Sequence, residues 1–526
     1  MAAALYLRIV LNDTPPYSRV LIITDSDCDG FTSAAIIYQY TKQVNCHCQV
    51  DYWLHEGKQH GLQDHIDRLL EENVHYDLII LPDSSSNDAH YHDMLDGIHI
   101  PCLILDHHLT DVPLSDNAVV VNNQLSPNYK NKELTGAGVV YQFCRYCDAK
   151  LGQNWADNCI DLAALGIIGD MGSVLDMENR YIISEGLSHV KNPLFHYILE
   201  KQSYSITGKM NATWKDILAK LSPITVAFYV VPMINALIRV GAMHEKELLF
   251  QAFIDGDAMV SCNKRGAKGT MERACVEATR VATNAKSHQN KMLDEVMLYV
   301  EAKIFKYDLL ENKILFVRLD EEQFPSEING LLAMRLSTKY KRPTIVARLN
   351  EQGYDRGSIR GVNNSPLPSF KQFLTDSGLF EYVQGHANAA GASIPDYYLN
   401  DLHKYANEKL KDVDFGENCY DINFERYANS LDLYELVLEL GKTNNVWGQG
   451  CPEPIIYVKD ITVPKKSIRI MGANSDTIKI ETNDVAFIQF HAKQLIADLD
   501  AIKDDYISLN IVGRANLNEW MGHITP

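Results

Sequence analysis

The sequence predicts an α/β protein of several domains. It should have a parallel sheet flanked by helices, a long connector helix, a smaller second α/β unit and a C-terminal β-barrel of oligonucleotide-binding type. Three observations predict this. From the N-terminus to about residue 120, short apolar runs alternate with helical patterns, which implies right-handed crossovers and a mainly parallel sheet. Glu272 to Ile304 holds neither proline nor glycine and is polar around much of its circumference, as a helix bridging two lobes would be. Short alternating strands crowd the last hundred or so residues, the pattern of a small barrel.

Taken in order, Arg19-Val-Leu-Ile-Ile-Thr24 reads as a buried strand and Thr32 to Gln43 as a helix. Gln49 to Leu54 is a second strand, and Leu62 to Glu72 a helix with Leu62, Ile66, Leu69 and Leu70 on one face. Tyr76 to Leu81 and Pro101 to Leu105 are further strands. Leu134 to Leu187 is helical, and residues 191–260 are mostly so, interrupted by Pro223 and Pro232. After the connector, Lys313 to Val317 and Pro343 to Ala347 read as strands around a helix from Gly330 to Tyr340. The barrel strands are Ile455–Val458, Ser467–Ile470, Thr477–Glu481, Val485–Phe490 and Ile507–Val512.

The chain has 526 residues, enough for three or four domains at about 150 residues each. The divisions expected are 1–190, 191–300, 301–410 and 411–526. With 46% apolar and 22% charged residues the chain is too apolar for disorder. Apolar runs reach only about six residues, too short to span a bilayer, so no membrane association is expected. The start, Met1-Ala-Ala-Ala-Leu-Tyr-Leu-Arg8, is unlike a signal peptide. Eleven scattered cysteines fit free thiols in a reducing compartment and a cytoplasmic protein. Cys46-His47-Cys48 and Cys144-x-x-Cys147 lack a partner pair at finger spacing, so structural zinc is not expected. Lys and Arg number 49 against 68 Asp and Glu, a formal charge of −19. That balance argues against nucleic acid coating the whole surface and leaves room only for a local basic groove.

In parallel sheets the site lies beyond the C-terminal strand ends. Thr24 is followed by Asp25-Ser-Asp27-Cys-Asp29-Gly30, Leu81 by Pro82-Asp83-Ser84-Ser85, and Leu105 by Asp106-His107-His108. Asp170 follows another apolar, glycine-punctuated stretch. Helix capping explains one such Asp. It does not explain several acids at one sheet edge, whose repulsion a cation would relieve. Oxygen ligands with an imidazole suit Mn²⁺ or Mg²⁺, and two such ions form a clamp for phosphoryl displacement.

These motifs resemble those of the DHH phosphoesterases, and specifically their RecJ-type single-stranded-DNA exonuclease branch. The resemblance rests on Asp25-Ser-Asp-Cys-Asp-Gly30, Asp83, Asp106-His-His108 and Asp161-Leu-Ala-Ala-Leu-Gly-Ile-Ile-Gly-Asp170, continuing to Glu178-Asn-Arg180, with Thr135-Gly-Ala-Gly138 before it. It extends through Pro232-Met-Ile-Asn235-Ala236 and Arg239, Gly357-Ser-Ile-Arg360, Gly385-His386-Ala-Asn-Ala-Ala-Gly391, Trp447 to Pro454, and Val512-Gly513 with Asn518-Glu-Trp520. It implies a DHH domain, a helical extension, a DHH-associated substrate-binding domain and a RecJ barrel. It implies that Asp25, Asp27, Asp83, Asp106, His107 and Asp170 hold two divalent ions, Mn²⁺ or Mg²⁺, with Asp83 bridging them. Asp29 and His108 would be catalytic, positioning ligands or phosphate. Arg360 and His386 would bind substrate phosphate, and Asn235 and Arg239 would line the path of the strand.

Two positions depart from the family pattern. Gln384 replaces the first glycine of Gly-Gly-His, and Ser84-Ser85 stand where Asn-Gly or Ala-Gly is common. Basic clusters at Lys264-Arg265 with Lys268 and Arg273, at Arg335 with Lys339 to Arg342, and at Lys465-Lys466 with Arg469 are candidates for a DNA groove, with Tyr340 as a stacking ring. The expected function is 5′→3′ hydrolysis of single-stranded DNA to 5′-mononucleotides in recombination, repair or replication. The alternatives are a nanoRNase or cyclic-dinucleotide phosphodiesterase of the same superfamily, and a catalytically inactive DNA-binding scaffold. Protein partners stay open, a single-strand-binding protein or a helicase among the candidates.

Overall fold

The computed structural model describes residues 1–526 apart from 58, 72–74, 111, 320–323, 363–364, 417–419, 429, 444, 473, 483–484, 521–522 and 526, with backbone alone at 518–520 and 523–525. It divides into two compact units, Met1–Cys419 and Tyr420–Pro526. The first sheet is made of β1 (Arg19–Thr24), β2 (Gln49–Leu54), β3 (Leu78–Pro82), β4 (Cys102–Asp106) and β5 (Ala118–Asn122). Its order is β2-β1-β3-β4-β5, with every pair parallel. β3 and β4 are buried along their whole length, which is why they read as unbroken apolar runs. The chain leaves β1 for β2 on one side and returns across it to β3 on the other. The C-terminal ends of β1 and β3 therefore flank the point where strand order reverses, the crevice in which such sheets bind ligands.

Helices α1 (Cys28–Val44), α2 (Gly136–Leu151), α3 (Ile160–Gly169) and α4 (Met177–Ser188) follow. α1 begins four residues earlier than periodicity predicts because Asp27 caps it, accepting from the Gly30 amide at 3.0 Å. α3 is buried from Ile160 to Ile168, apolar on every side. The helix expected from Leu62 spans Ile66–Glu71, since the Leu62 amide donates outside it to Asp88; Glu72 lies outside the described residues. Among the elements absent from the sequence prediction are the helices Ala2–Val10 and Ala89–Gly97 and strand β5.

Pro223 and Pro232 each sit in the first turn of a helix, Pro223–Tyr229 and Val231–Val240, where a missing amide costs nothing. The stretch Pro223–Val240 is long and apolar enough by length and composition to cross a membrane, unlike the short runs expected; half of it is buried within the protein. The connector is one helix, Ala274–Lys306, of 33 residues. Its second half buries Leu293, Val296, Val300 and Ile304 against Leu315, Val317, Leu332 and Leu336 of the second lobe. That lobe's sheet runs Tyr382–His386, Ala389–Pro395, Tyr354–Arg360, Thr344–Leu349 and Leu315–Arg318, antiparallel except for its last pair.

In the C-terminal unit the strands do not form a single five-stranded ladder. Ile455–Pro464 pairs with Tyr506–Arg514 and, in parallel, with Phe424–Tyr427, while Arg469–Met471, Thr477–Glu481 and Ala486–Gln489 form a second three-stranded sheet. The two sheets share one core, with Ile456, Val458, Ile461 and Val463 packed among Ile478, Ile480 and Val485.

Candidate metal centre

The strand ends converge as topology requires. Asp25, Asp27 and Asp83 offer carboxylate oxygens within 4.8 Å of one another; Asp29, His107 and Asp170, and likewise Asp83, His107 and His108, bring carboxylate oxygens and imidazole nitrogens equally close. His107 Nε2 stands 3.2 Å from Asp83 Oδ1, 3.5 Å from Asp170 Oδ2 and 4.0 Å from Asp29 Oδ2.

Asp83 is the centre of the arrangement. It is buried, in the left-handed region at φ 67°, and its Oδ1 accepts no hydrogen bond. An orphaned buried oxygen and a strained backbone each cost free energy, on the order of 1–3 kcal/mol. Gly136 at the start of α2 makes room for it, since a Cβ there would stand 2.2 Å from Asp83 Oδ1.

Electrostatics point the same way. Burial, then the charges of Asp29, Asp27 and Asp25, hold the Asp83 carboxyl well above the usual range. Burial followed by Asp27 pushes Asp29 to about 7, and burial followed by Asp29 and Asp27 pushes Asp170 to about 8. Burial also raises Asp25, against the opposing pull of His60. His107 is pushed down to about 4 by burial first and the His108 charge next, with His386 of the second lobe a smaller cause. A neutral imidazole facing an unsatisfied carboxylate oxygen, amid acids that cannot all ionise together, is a donor set that fits a divalent cation.

Asp106 and Asp29 are both held by donors from the protein itself. Asp106 is absent from all three converging groups, and both of its oxygens accept hydrogen bonds from the protein. Its Oδ1 accepts from the His107 amide at 2.7 Å, the His108 amide at 3.1 Å and His108 Nδ1 at 2.8 Å, and its Oδ2 from the Ser86 amide at 3.0 Å. Burial alone would raise Asp106, but the bond and charge of His108 hold it far below the usual range; reciprocally, burial is outweighed at His108 and the Asp106 bond lifts it to about 9. Asp29 likewise accepts from Thr135 Oγ1 at 3.0 Å and from the Gly136 and Ala137 amides at 2.7 and 3.0 Å, tying α1 to α2.

Asn235 Oδ1 accepts from the Cys28 amide at 2.9 Å, holding the first turn of α1. Arg239 is lowered by burial and feels Asp27. Arg360 is lowered by burial and by the charge of Arg239, so guanidinium groups from two lobes feel one another. His386 is exposed, on a strand whose Gly385 has φ 130° and where a Cβ would meet Ala390 Cα at 2.8 Å. The sequence did not single out Lys286, which burial, Arg239 and then Arg335 lower, or His60, whose Nδ1 lies 2.6 Å from Asp25. Neither belongs to a motif; only the fold brings them in.

A model described as the DHH family N-terminal domain matches residues 19–167, and one described as the RecJ OB domain matches residues 428–526. The chain is 34% identical, over 97% of its length and 86% of the relative's, to a Bacillus subtilis protein named as an SPbeta prophage-derived single-strand DNA-specific exonuclease. It is 23% identical, over 90% of its length and 80% of the relative's, to the single-stranded-DNA-specific exonuclease RecJ of Haemophilus influenzae. Among solved structures, RecJ of Thermus thermophilus in complex with Mn²⁺ superposes with a TM-score of 0.72 at 20% identity, covering 100% of this chain and 69% of that one. The Mg²⁺ complex gives 0.66 at 19% identity, covering 100% and 68%.

Proposed function

The chain belongs to the DHH family, on its RecJ-type single-strand-DNA-specific exonuclease branch, and on that premise we propose that it degrades single-stranded DNA from the 5′ end to 5′-mononucleotides using two divalent ions, Mn²⁺ or Mg²⁺. The observation that carries this is the convergence of Asp25, Asp27, Asp83, His107 and Asp170 around the orphaned oxygen of Asp83. Those five residues would hold the ions. When bound, the ions supply charge neutralisation at the scissile phosphate and a more acidic attacking water.

The remaining residues orient and bind. Asp106 fixes the two imidazoles by its bonds to both backbone amides and to His108 Nδ1. His108, half exposed and protonated at neutral pH, presents its other N–H to a phosphate oxygen. Asp29 locks α1 against α2 so that Asp25 and Asp27 keep their spacing. Asn235 and Arg239 border the path of the strand, and Arg360 with His386 receives its phosphate from the second lobe. A domain order of 1–190, 191–300, 301–410 and 411–526 accords with these roles, and recombination, repair or replication is the setting.

The test uses 5′- and 3′-labelled single strands and the matching duplex, with Mn²⁺ or a chelator. Label released as mononucleotide first from the 5′-labelled strand, with duplex and chelated samples inert, is the expected result. Asp83→Asn, which keeps shape but removes the charge, should lower turnover by more than the 10–100-fold or so that loss of an outer partner costs. Turnover near wild type in that variant, or cleavage that persists without metal, contradicts the assignment.

A further inference from the structure

The loop between β2 and helix Ile66–Glu71 brings a histidine to the metal centre. His60 Nδ1 lies 2.6 and 2.8 Å from the two oxygens of Asp25. A carboxylate only accepts, so Nδ1 carries the proton. The Asp25 side chain is 1% exposed and that of His60 50%, so the imidazole covers the outer side of a buried carboxylate. Among the described residues, His60 is in none of the groups whose ligand atoms converge. It stands behind a ligand and is not one itself.

The loop is held at both ends. Lys246, buried on helix Met243–Ile254, donates to the carbonyls of His55, at 3.2 Å, and Glu56. On the other side of His60, the Leu62 amide donates to Asp88 Oδ2 at 2.9 Å, and Ser85 Oγ donates to the same oxygen at 2.7 Å. Gly61 has φ 72°, and a Cβ there would stand 2.2 Å from Asp88 Oδ2 and 3.0 Å from Ser85 Oγ. Ser85 itself sits at φ 77°, two residues after Asp83, where glycine would be at ease. The serine accepts that strain and gains a hydroxyl that ties the turn of Asp83 to the loop of His60.

We infer that His60 is a positioning residue for Asp25, and that its loop, tied through Gly61, Leu62, Asp88 and Ser85 to the Asp83 turn, fixes the spacing of two carboxylates of the metal centre. This rests on the metal-centre assignment above. Outer partners of this kind orient ligands, and their loss costs about 10–100-fold in metal affinity.

The experiment is a Mn²⁺ titration of the full-length protein, followed by electron paramagnetic resonance of free Mn²⁺, with circular dichroism as the check of folding. His60→Leu should keep the fold and weaken one of two ions by about 10–100-fold. His60→Asn, which returns an N–H near the place of Nδ1, should recover most of that loss. The Mn²⁺ needed for half-maximal cleavage should rise in parallel, with kcat at saturating Mn²⁺ close to wild type. Ser85→Gly relieves the backbone and should leave thermal stability equal or higher while weakening Mn²⁺ by about three- to tenfold, the value of one lost hydrogen bond. Wild-type affinity in His60→Leu overturns the inference, as does an Asn variant no better than Leu, which would reduce His60 to a space filler. Asp83→Asn separates the two levels. If it too binds Mn²⁺ like wild type, the metal-centre assignment has failed; if it loses Mn²⁺ while His60→Leu does not, only the role of His60 has.

Discussion

Gly136 shows how little room the centre leaves for its carboxylates. Its missing side chain is what lets Asp83 lie against the first turn of α2, because a Cβ would stand 2.2 Å from Asp83 Oδ1 and 2.5 Å from its Cβ. Asp83 is buried on a turn of positive φ and has nowhere to retreat. Gly136→Ala should therefore cost about 1–3 kcal/mol of stability, as overpacking does. It should also weaken Mn²⁺ binding by displacing Asp83, and thermal melting with a Mn²⁺ titration reads both. Unchanged metal affinity would show that Asp83 is not confined as the packing implies. The acids and imidazoles of the centre were legible as sequence because strand ends announce them. The partition of their lone pairs was not. Asp106 has the same residue type as Asp83, but four donors surround the one and an oxygen of the other is left bare. Only the positions of the Ser86 and His108 donors decide that. His60 had no motif to mark it, and its bond to Asp25 spans 35 residues of sequence.

The connector helix is the element on which the cleft depends. Its first half buries Ala274, Cys275, Ala278, Val281 and Ala282, and its second half enters the core of the other lobe through Leu293, Val296, Val300 and Ile304. Lys286 lies between the two halves, within the field of Arg239 from one lobe and Arg335 from the other. Lys291 is 78% exposed in its side chain and faces a likewise exposed Glu295 at 3.9 Å, a pair worth little, so a change there tests chiefly the backbone. Lys291→Pro removes an internal hydrogen bond and should cost about 3 kcal/mol or more. By kinking the helix it should also move Arg360 and His386 relative to Asp83. The expected outcome is a lower melting temperature together with a fall in kcat/KM on single strands. Wild-type kcat/KM would show that the two lobes do not need an unbroken helix between them. The helix was readable to within about two residues at each end, because no proline or glycine interrupts it. β5 was not readable, since Ala118-Val-Val-Val-Asn122 is a short run bordered by Asn117 and Asn123, residues that favour turns.

A net charge of −19 sets how the whole molecule can meet a polyanion. Four residues of the basic clusters that composition offered for a groove are paired with local acids. Arg273 meets Asp257 at 2.5 Å, Arg335 meets Asp294 at 2.6 Å, Lys339 meets Glu301 at 2.5 Å, and Arg469 meets Glu481 at 3.4 Å. Lys465 spends its ammonium on the carbonyls of Asp500 and Ile502. Arg239, Lys286 and Arg360 are a further group of cations, each partly buried and each lowered by burial, and we expect these to meet the strand. Few contacts to phosphate mean few counterions released. For single strands the logarithm of affinity falls by about 0.7 per neutralised phosphate for each unit of log salt. Three or four contacts then give a slope of about −2 to −3, where a basic surface engaging ten would give about −7. Fluorescence anisotropy of a 5′-phosphorylated oligonucleotide, bound to Asp83→Asn so that it is not consumed and titrated across KCl concentrations, measures that slope. Arg360→Ala should flatten it by about 0.7 and weaken binding at every salt concentration. A slope steeper than about −5 would mean that the surface clusters also carry the strand, and that the acidity of the chain does not confine DNA to one path.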